Sequence, residues 1–387
     1  MTPAARVSAA IEILDEWLAG TPAEKALTNW ARRSRFAGSK DRAAIRDHVF
    51  DAIRCRRSFA ALGGGLTGRG LMIGRFRSEG IDLESAFNGV GHAPTPLSAE
   101  ELATPPASAT RTETLDCPDW LWPLFVAALG EDGAADALAV LQARAPVTLR
   151  VNRARGTVSE AIERLASEGI AATPVEDVKT ALHVTENARK ISGSAAFLSG
   201  LVEPQDAASQ LAILRLGDLS GQTVLDYCAG GGGKSLALAA QGARVTAHDI
   251  DARRMADIPV RAKRAGVNIH IAPQPIQSKD FDVVFCDAPC SGSGTWRRTP
   301  EAKWNLTSDR LAALCQMQDN VLDEAVGHVR PGGQLAYATC SVFREENEDR
   351  IKDFLSRHPD WTLHDEMRLA PTKAWDGFYL ALLVRPQ

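Results

Sequence analysis

Residues 223–235 read TVLDYCAGGGGKS. A short apolar run, four glycines and a helix-forming segment predict a strand, a glycine turn and a helix. The turn lacks the GxxxxGK[ST] spacing, because Cys228 stands where the first glycine belongs, so a phosphate loop is not expected. Downstream, RVTAHDID (244–251) supplies a second strand ending at Asp249, where a carboxylate can accept hydrogen bonds from ribose hydroxyls. This pattern suits any adenosine-type cofactor, S-adenosylmethionine included. By itself it leaves hydride and methyl transfer undecided.

Three more strands are predicted: NIHIA (268–272), FDVVFCDAP (281–289) and QLAYATCS (334–341). A helix is expected from an N-cap at Ser308 to Val329, ended by Pro331-Gly332-Gly333, and GFYLALLV (377–384) closes the sheet. Alternating strands and helices imply an α/β fold, a parallel sheet with right-handed crossovers and ligands at the carboxyl ends of its strands. Upstream lies a small α/β module: helical residues 117–143, strand PVTLRVN (146–152), helix Ser159–Glu168 and strand ALHVT (181–185). His92–Arg111, with Pro94, Pro96, Pro105 and Pro106, reads as a connector. Residues 1–92 carry helical stripes (Ile13, Leu14, Leu18; Ile45, Val49, Ile53), with Ser39 as an N-cap. The expected division is 1–92, a linker 93–116, 117–199 and 200–387.

The chain has 387 residues and a net charge of −4, which taken alone argues against a nucleic-acid partner. The charge is unevenly spread. Thirteen basic and three acidic residues give Lys25–Arg77 a net +10, leaving −14 elsewhere. That segment is either a solvated helical face or a phosphate-tracking surface. Seven cysteines, an odd number without a CxxC pair, exclude a disulfide scaffold, give no metal site and make the cytoplasm the expected location. The opening MTPAARVSAAIEILDEW is not read as a signal peptide, and no run of about 18 apolar residues predicts a membrane span. Nothing in the sequence points to an obligate protein partner.

Two further motifs bear the chemistry. Asp287-Ala-Pro-Cys290-Ser-Gly-Ser-Gly294 follows the fourth strand, and Thr339-Cys340-Ser341 ends the fifth. A lone buried cysteine is usually structural, but two thiols and a carboxylate on one rim are harder to read that way. A pyrimidine C5 is too weak a nucleophile to attack a sulfonium methyl. A thiolate adding at C6 gives C5 enolate character, and a donor at N3 stabilises the adduct. A second thiol can then assist release.

DYCAGGGGKS, HDID, DAPCSGSGTWRRTPE, YATCSVFREENE, DGFYLALL and the approach segment GLVEPQDAASQL (200–211) together resemble the Sun/RsmB-like family of RNA 5-methylcytosine methyltransferases, over residues 146–387. SKDRAAIRDHVFDAIRCRRSF (39–59) is more weakly similar to the NusB-like RNA-binding domain of that family's ribosomal members. The resemblance implies a Rossmann-like class I methyltransferase sheet, preceded by a small α/β module and an all-helical NusB-like domain. It implies Cys340 as the nucleophile at C6, Cys290 as the cysteine assisting release, Asp287 beside the target base and Lys234 as an active-site lysine. It places S-adenosylmethionine on Cys228, Ala229, Gly230, Gly231, Gly232, Gly233, Lys234, Asp249 and Asp287, and puts Arg298 and Glu346-Asn347 near the substrate. The implied partner is RNA, namely small-subunit (16S) ribosomal RNA. The alternatives are transfer RNA or a non-catalytic assembly role. Gly230-Gly231 replace the family's Ala-Pro, which predicts a more flexible loop. Gln274 stands where the family often has an acid near the adenine.

Overall fold

The computed structural model describes all residues except 104–108, 273–275, 277–279 and 386–387, so Gln274 and the prolines Pro105 and Pro106 lie outside the described residues. The chain forms two compact units: Met1–Arg144 with Trp296–Asn305, and Ala145–Thr295 with Leu306–Gln387.

The first unit is helical. Its helices are α1 (Pro3–Leu18), α2 (Ala23–Arg33), α3 (Ser39–Arg54), α4 (Arg56–Gly63), α5 (Gly68–Glu79) and α6 (Trp122–Leu141, broken at Gly130). Ala10, Ile13 and Leu14 of α1 pack with Ile45, Val49 and Ile53 of α3 and Met72 of α5. The N-cap of α3 is Gly38 rather than Ser39. Asp41 accepts from the Gly38 N–H at 3.1 Å, so the carboxylate three residues on does the capping. Residues 296–305 return to this unit. Trp296 meets Phe125 edge-on, Trp304 Nε1 donates to the Ile53 carbonyl at 2.7 Å, and buried Lys303 donates to that of Arg54 at 3.2 Å. Glu301 accepts from Trp17 Nε1 (3.1 Å) and from the Ala23 N–H (3.2 Å). Pro22 precedes α2 and gives it no side-chain cap, so Glu301 supplies from across the sequence the negative group that a helix N-terminus favours.

Six of the thirteen basic residues in Lys25–Arg77 are ion-paired in three dimensions. Arg33 pairs with Glu12 and Glu16, Arg46 with Glu24, Arg54 and Arg75 with Asp51, Arg57 with Asp119 and Arg69 with Glu101. Most of these acids lie outside residues 25–77, which is why a linear count overstates the positive surface.

The second unit holds two sheets. Strands β1 (Val147–Val151), β2 (Ala171–Pro174), β3 (Ala181–Glu186) and β4 (Val202–Pro204) pair antiparallel in the order β2-β3-β1-β4. The large sheet comprises β5 (Thr223–Asp226), β6 (Arg244–Ala247), β7 (Ile269–Ile271), β8 (Phe281–Asp287), β9 (Val329–Thr339), β10 (Thr362–Leu369) and β11 (Phe378–Val384), in the order β10-β11-β9-β8-β5-β6-β7. Its apolar runs alternate between two buried faces: Leu225, Val284, Leu335 and Tyr337 on one, Val224, Val283, Phe285 and Ala336 on the other.

The expected parallel sheet is corrected at one edge. The pairs β9–β11 and β10–β11 are antiparallel, and β10 is an additional strand. Pro331-Gly332-Gly333 does not end a helix: the helix runs Ser308–Ala325 with Thr307 as N-cap, and the three residues lie within β9. They form an irregularity there, where the register with β8 jumps from Phe281↔Val329 to Val283↔Gln334 and Gly332 takes φ +68°.

Candidate active site

The glycine turn sits at the carboxyl end of β5, an interior strand flanked by β8 and β6. Gly230 (φ +50°) and Gly232 (φ +80°) occupy left-handed conformations, and a Cβ on Gly232 would lie 2.6 Å from Ile258. Only glycine fits there. The Gly230 N–H donates to Asp249 at 2.9 Å, Arg261 donates to the Gly231 carbonyl, and Arg254 pairs with Asp249 at 3.0 Å. These ties restrain the turn where the family's proline is missing.

A cavity of about 450 Å³ opens beside the turn. Cys228, Ala229, Gly230, Gly231, Gly233, Lys234, Asp287, Cys290 and Cys340 all line it, so nearly every residue expected from the sequence meets in one place. Gly232 and Asp249 do not line it; they shape the turn. Glu346 and Asn347 lie buried beneath the cysteine turns instead of at the rim. Arg298 belongs to the 296–305 segment that folds with the helices. Gln205, Arg254 and Arg261 also line the cavity and were not anticipated. The first lies inside the approach segment; the two arginines sit on a helical stretch whose local pattern carries no functional signal. Among the described residues no cluster suits a metal ion.

The two thiols face each other with Sγ···Sγ 3.4 Å. The contact with Cys290 lowers the Cys340 pKa more than burial raises it, with help from Lys234 and from the Thr295 hydroxyl, while Asp287 opposes. Cys290 moves the other way, raised well above the ordinary thiol value by the contact with Cys340, by burial and by Glu346. The two thiols are thus shifted in opposite directions. Lys234 Nζ donates to Asp287 Oδ2 at 2.6 Å. Burial disfavours the ammonium, but Asp287 outweighs it and the Lys234 pKa is raised.

Residues 213–384 match the family described as 16S rRNA methyltransferase RsmB/F, and residues 117–190 match the ferredoxin-like domain of RsmF/B-like methyltransferases. The chain is 35% identical over 260 residues to ribosomal RNA small subunit methyltransferase B of Klebsiella pneumoniae, covering 62% of this chain and 60% of that one. The Vibrio cholerae protein of the same name is also 35% identical, over 256 residues and 59% of its length. The chain thus spans about 60% of the length of these relatives. Among solved structures, PH0851 superposes with a TM-score of 0.77 at 26% identity, covering 99% of both chains. A methyltransferase homologue from Pyrococcus horikoshii shares the fold, with a TM-score of 0.62 at 24% identity over 71% of this chain and 97% of its own.

The cofactor of such a methyltransferase is S-adenosylmethionine, and the residues present fit it. Asp226, fully buried, lines the cavity; its Oδ2 accepts from Ser235 at 2.6 Å while Oδ1 has no partner among the described residues. An unsatisfied carboxylate oxygen suits the ammonium of a methionine tail, and the glycine turn exposes backbone to the ligand. Burial, which outweighs the Ser235 hydrogen bond and is reinforced by Asp287, raises the Asp226 pKa to about 7. A bound cation favours the ionised form, so affinity for S-adenosylhomocysteine is expected to rise with pH, by up to about tenfold per unit below pH 7, and to level off above. Calorimetric titration of the wild type and Asp226→Asn checks this; a pH-independent wild-type affinity overturns it.

Cofactor turn, sheet order and the matched segments agree: residues 213–384 are similar to the RsmB/F methyltransferase family and residues 117–190 to the ferredoxin-like domain of its members.

Proposed function

We propose that this protein transfers a methyl group to C5 of a cytosine in RNA, with small-subunit ribosomal RNA as the substrate. The observation that carries the reading is the facing thiol pair, 3.4 Å apart, beside the Lys234–Asp287 pair in the cofactor cavity. One thiol held poised for ionisation and one held protonated serve an addition–elimination, not a hydride transfer. The names of the 35% identical relatives support ribosomal RNA as the substrate class.

The Cys340 thiolate forms a bond to C6, and the ring electrons move toward N3, where the Lys234–Asp287 pair supplies the proton donor. S-adenosylmethionine supplies the electrophilic methyl group to the now nucleophilic C5. The N3 proton returns to the Lys234–Asp287 pair, a water molecule takes the C5 proton, and the C5–H electrons form the C5–C6 double bond as the S–C6 bond breaks, with the Cys290 thiol donating to the departing Cys340 sulfur. A cytosine reaches this depth only when unstacked. Bisulfite sequencing of ribosomal and transfer RNA from wild-type and deletion strains tests the reading. Loss of one ribosomal 5-methylcytosine is expected; loss confined to transfer RNA moves the substrate, and no loss removes the activity.

The helical unit, with its NusB-like stretch, is the proposed RNA anchor. Beyond those pairs, Lys25, Arg32, Arg35, Lys40 and Arg42 are exposed with no ion pair among the described residues, and Phe36 in the same stretch of chain is 76% exposed. Cations and a free ring suit phosphates and an unstacked base. Replacing Arg32, Arg35 or Lys40 by Ala is expected to reduce the slope of log K against log salt by about 0.7–0.9 each. Phe36→Ala is expected to weaken binding by about 1–3 kcal/mol at unchanged slope. Arg33→Ala, which breaks pairs with Glu12 and Glu16, is the control; if it lowers the slope as much as the others, this assignment of the anchor is wrong.

A further inference from the structure

The two cysteine turns are held by adjacent residues. Glu346 and Asn347 are both fully buried. The Glu346 carboxylate accepts from the Ser291 N–H at 2.7 Å, from the Ser291 hydroxyl at 2.5 Å and from the Gln318 amide at 3.1 Å. The same amide donates to the Pro289 carbonyl at 2.9 Å. Pro289 and Ser291 flank Cys290, so the carboxylate holds the turn directly at Ser291 and, through Gln318, at Pro289. Asn347 does the corresponding work next door: its Oδ1 accepts from Thr339 Oγ1 at 2.6 Å, and its Nδ2 donates to the Ser341 carbonyl at 3.0 Å. Thr339 and Ser341 flank Cys340.

The two grips differ in one respect. Asn347 is neutral, whereas Glu346 carries a buried charge whose three donors are all neutral. Hydrogen bonds from neutral groups satisfy a carboxylate's lone pairs without cancelling its field. The negative charge therefore acts on Cys290, while the cation Lys234 acts on Cys340, across a pair of otherwise identical thiols. The other groups facing Cys340 are Asp287, which opposes its ionisation, and Thr295. Facing Cys290 are Cys340 itself and the Gly292 backbone.

We propose that Glu346 is a positioning residue that decides which thiol is the nucleophile: its buried carboxylate keeps the proton on Cys290, which leaves Cys340 to ionise and attack. The proposal rests on the cytosine-5 reading for its meaning in catalysis, but the asymmetry between the thiols is a property of the protein without RNA. Without Glu346 the pair loses one of the charges that tell its members apart, and the proton can sit on either sulfur.

The test is alkylation of the full-length protein by iodoacetamide between about pH 6 and 9, with each cysteine followed by peptide mass spectrometry. In the wild type, Cys340 is expected to react first. In Glu346→Gln the ratio of Cys340 to Cys290 modification is expected to fall about three- to tenfold, as half to one pKa unit implies, with Cys290 reacting at lower pH. Glu346→Asp, which keeps the charge, is expected to restore the preference. Ser291→Ala loosens the same turn without touching the charge and is expected to leave the ratio within about twofold; a purely structural role moves both variants alike. An unchanged ratio in Glu346→Gln, or an equal drop in Ser291→Ala, overturns the proposal. Methylation of RNA by the wild type is scored separately, so failure of the cytosine-5 reading is distinguishable from failure of this one.

Discussion

Cys290→Ala protein, incubated with RNA and S-adenosylmethionine, is expected to accumulate a covalent protein–RNA adduct that runs as a slow band on a denaturing gel. The argument follows the order of the bonds. In the proposed mechanism attack at C6 comes from Cys340, which the substitution leaves in place beside Lys234 and Asp287. Release requires the S–C6 bond to break, and the proton donor facing that sulfur at 3.4 Å is the group removed. Loss of the Cys290 contact also raises the Cys340 pKa, because that contact is the largest influence lowering it. The adduct should therefore form faster at pH 8.5 than at pH 7, and the Cys290→Ala/Cys340→Ala double variant should form none. A folded, cofactor-binding Cys290→Ala protein that turns over normally and traps nothing removes Cys290 from the release step.

Cys340→Ala is expected to lose methyl transfer by at least about 10⁴-fold, the scale seen when a covalent nucleophile is deleted. Cofactor affinity should change little, since the glycine turn, Asp226 and Asp249 are untouched. Methyl incorporation from labelled cofactor measures the first quantity and calorimetry the second. Activity retained in Cys340→Ala and lost in Cys290→Ala would assign attack to the Pro-Cys turn, the arrangement of the DNA cytosine enzymes.

The large sheet was legible where its strands are short apolar runs buried on both faces, as at Thr223–Asp226 and Phe281–Asp287. Strand β10, TLHDEMRL, was not legible. It is a largely exposed edge strand whose polar residues give no apolar signal, and the antiparallel direction of β11 is set by pairing rather than by local periodicity. The cavity lining was legible because the DAPCSGSG and ATCS motifs fall at strand ends. The buried role of Glu346 was hidden, since its partners lie 28 and 55 residues away in sequence. The basic segment misled for the same reason: Arg57 meets Asp119 62 residues later, and Arg69 meets Glu101 32 residues later. Charge is read along the chain but cancels in space.

The return of residues 296–305 to the helices has an evolutionary consequence. The backbone passes between the two units after Arg144, before Trp296 and after Asn305, so no single junction separates them. A recombination event exchanging only the first 144 residues would leave Trp296, Glu301, Lys303 and Trp304 facing foreign partners. The helical unit is thus inherited with ten residues that directly follow the Cys290 turn, and drift in one stretch must be matched in the other. A lineage can discard or replace the helical unit only by rebuilding the loop next to Cys290.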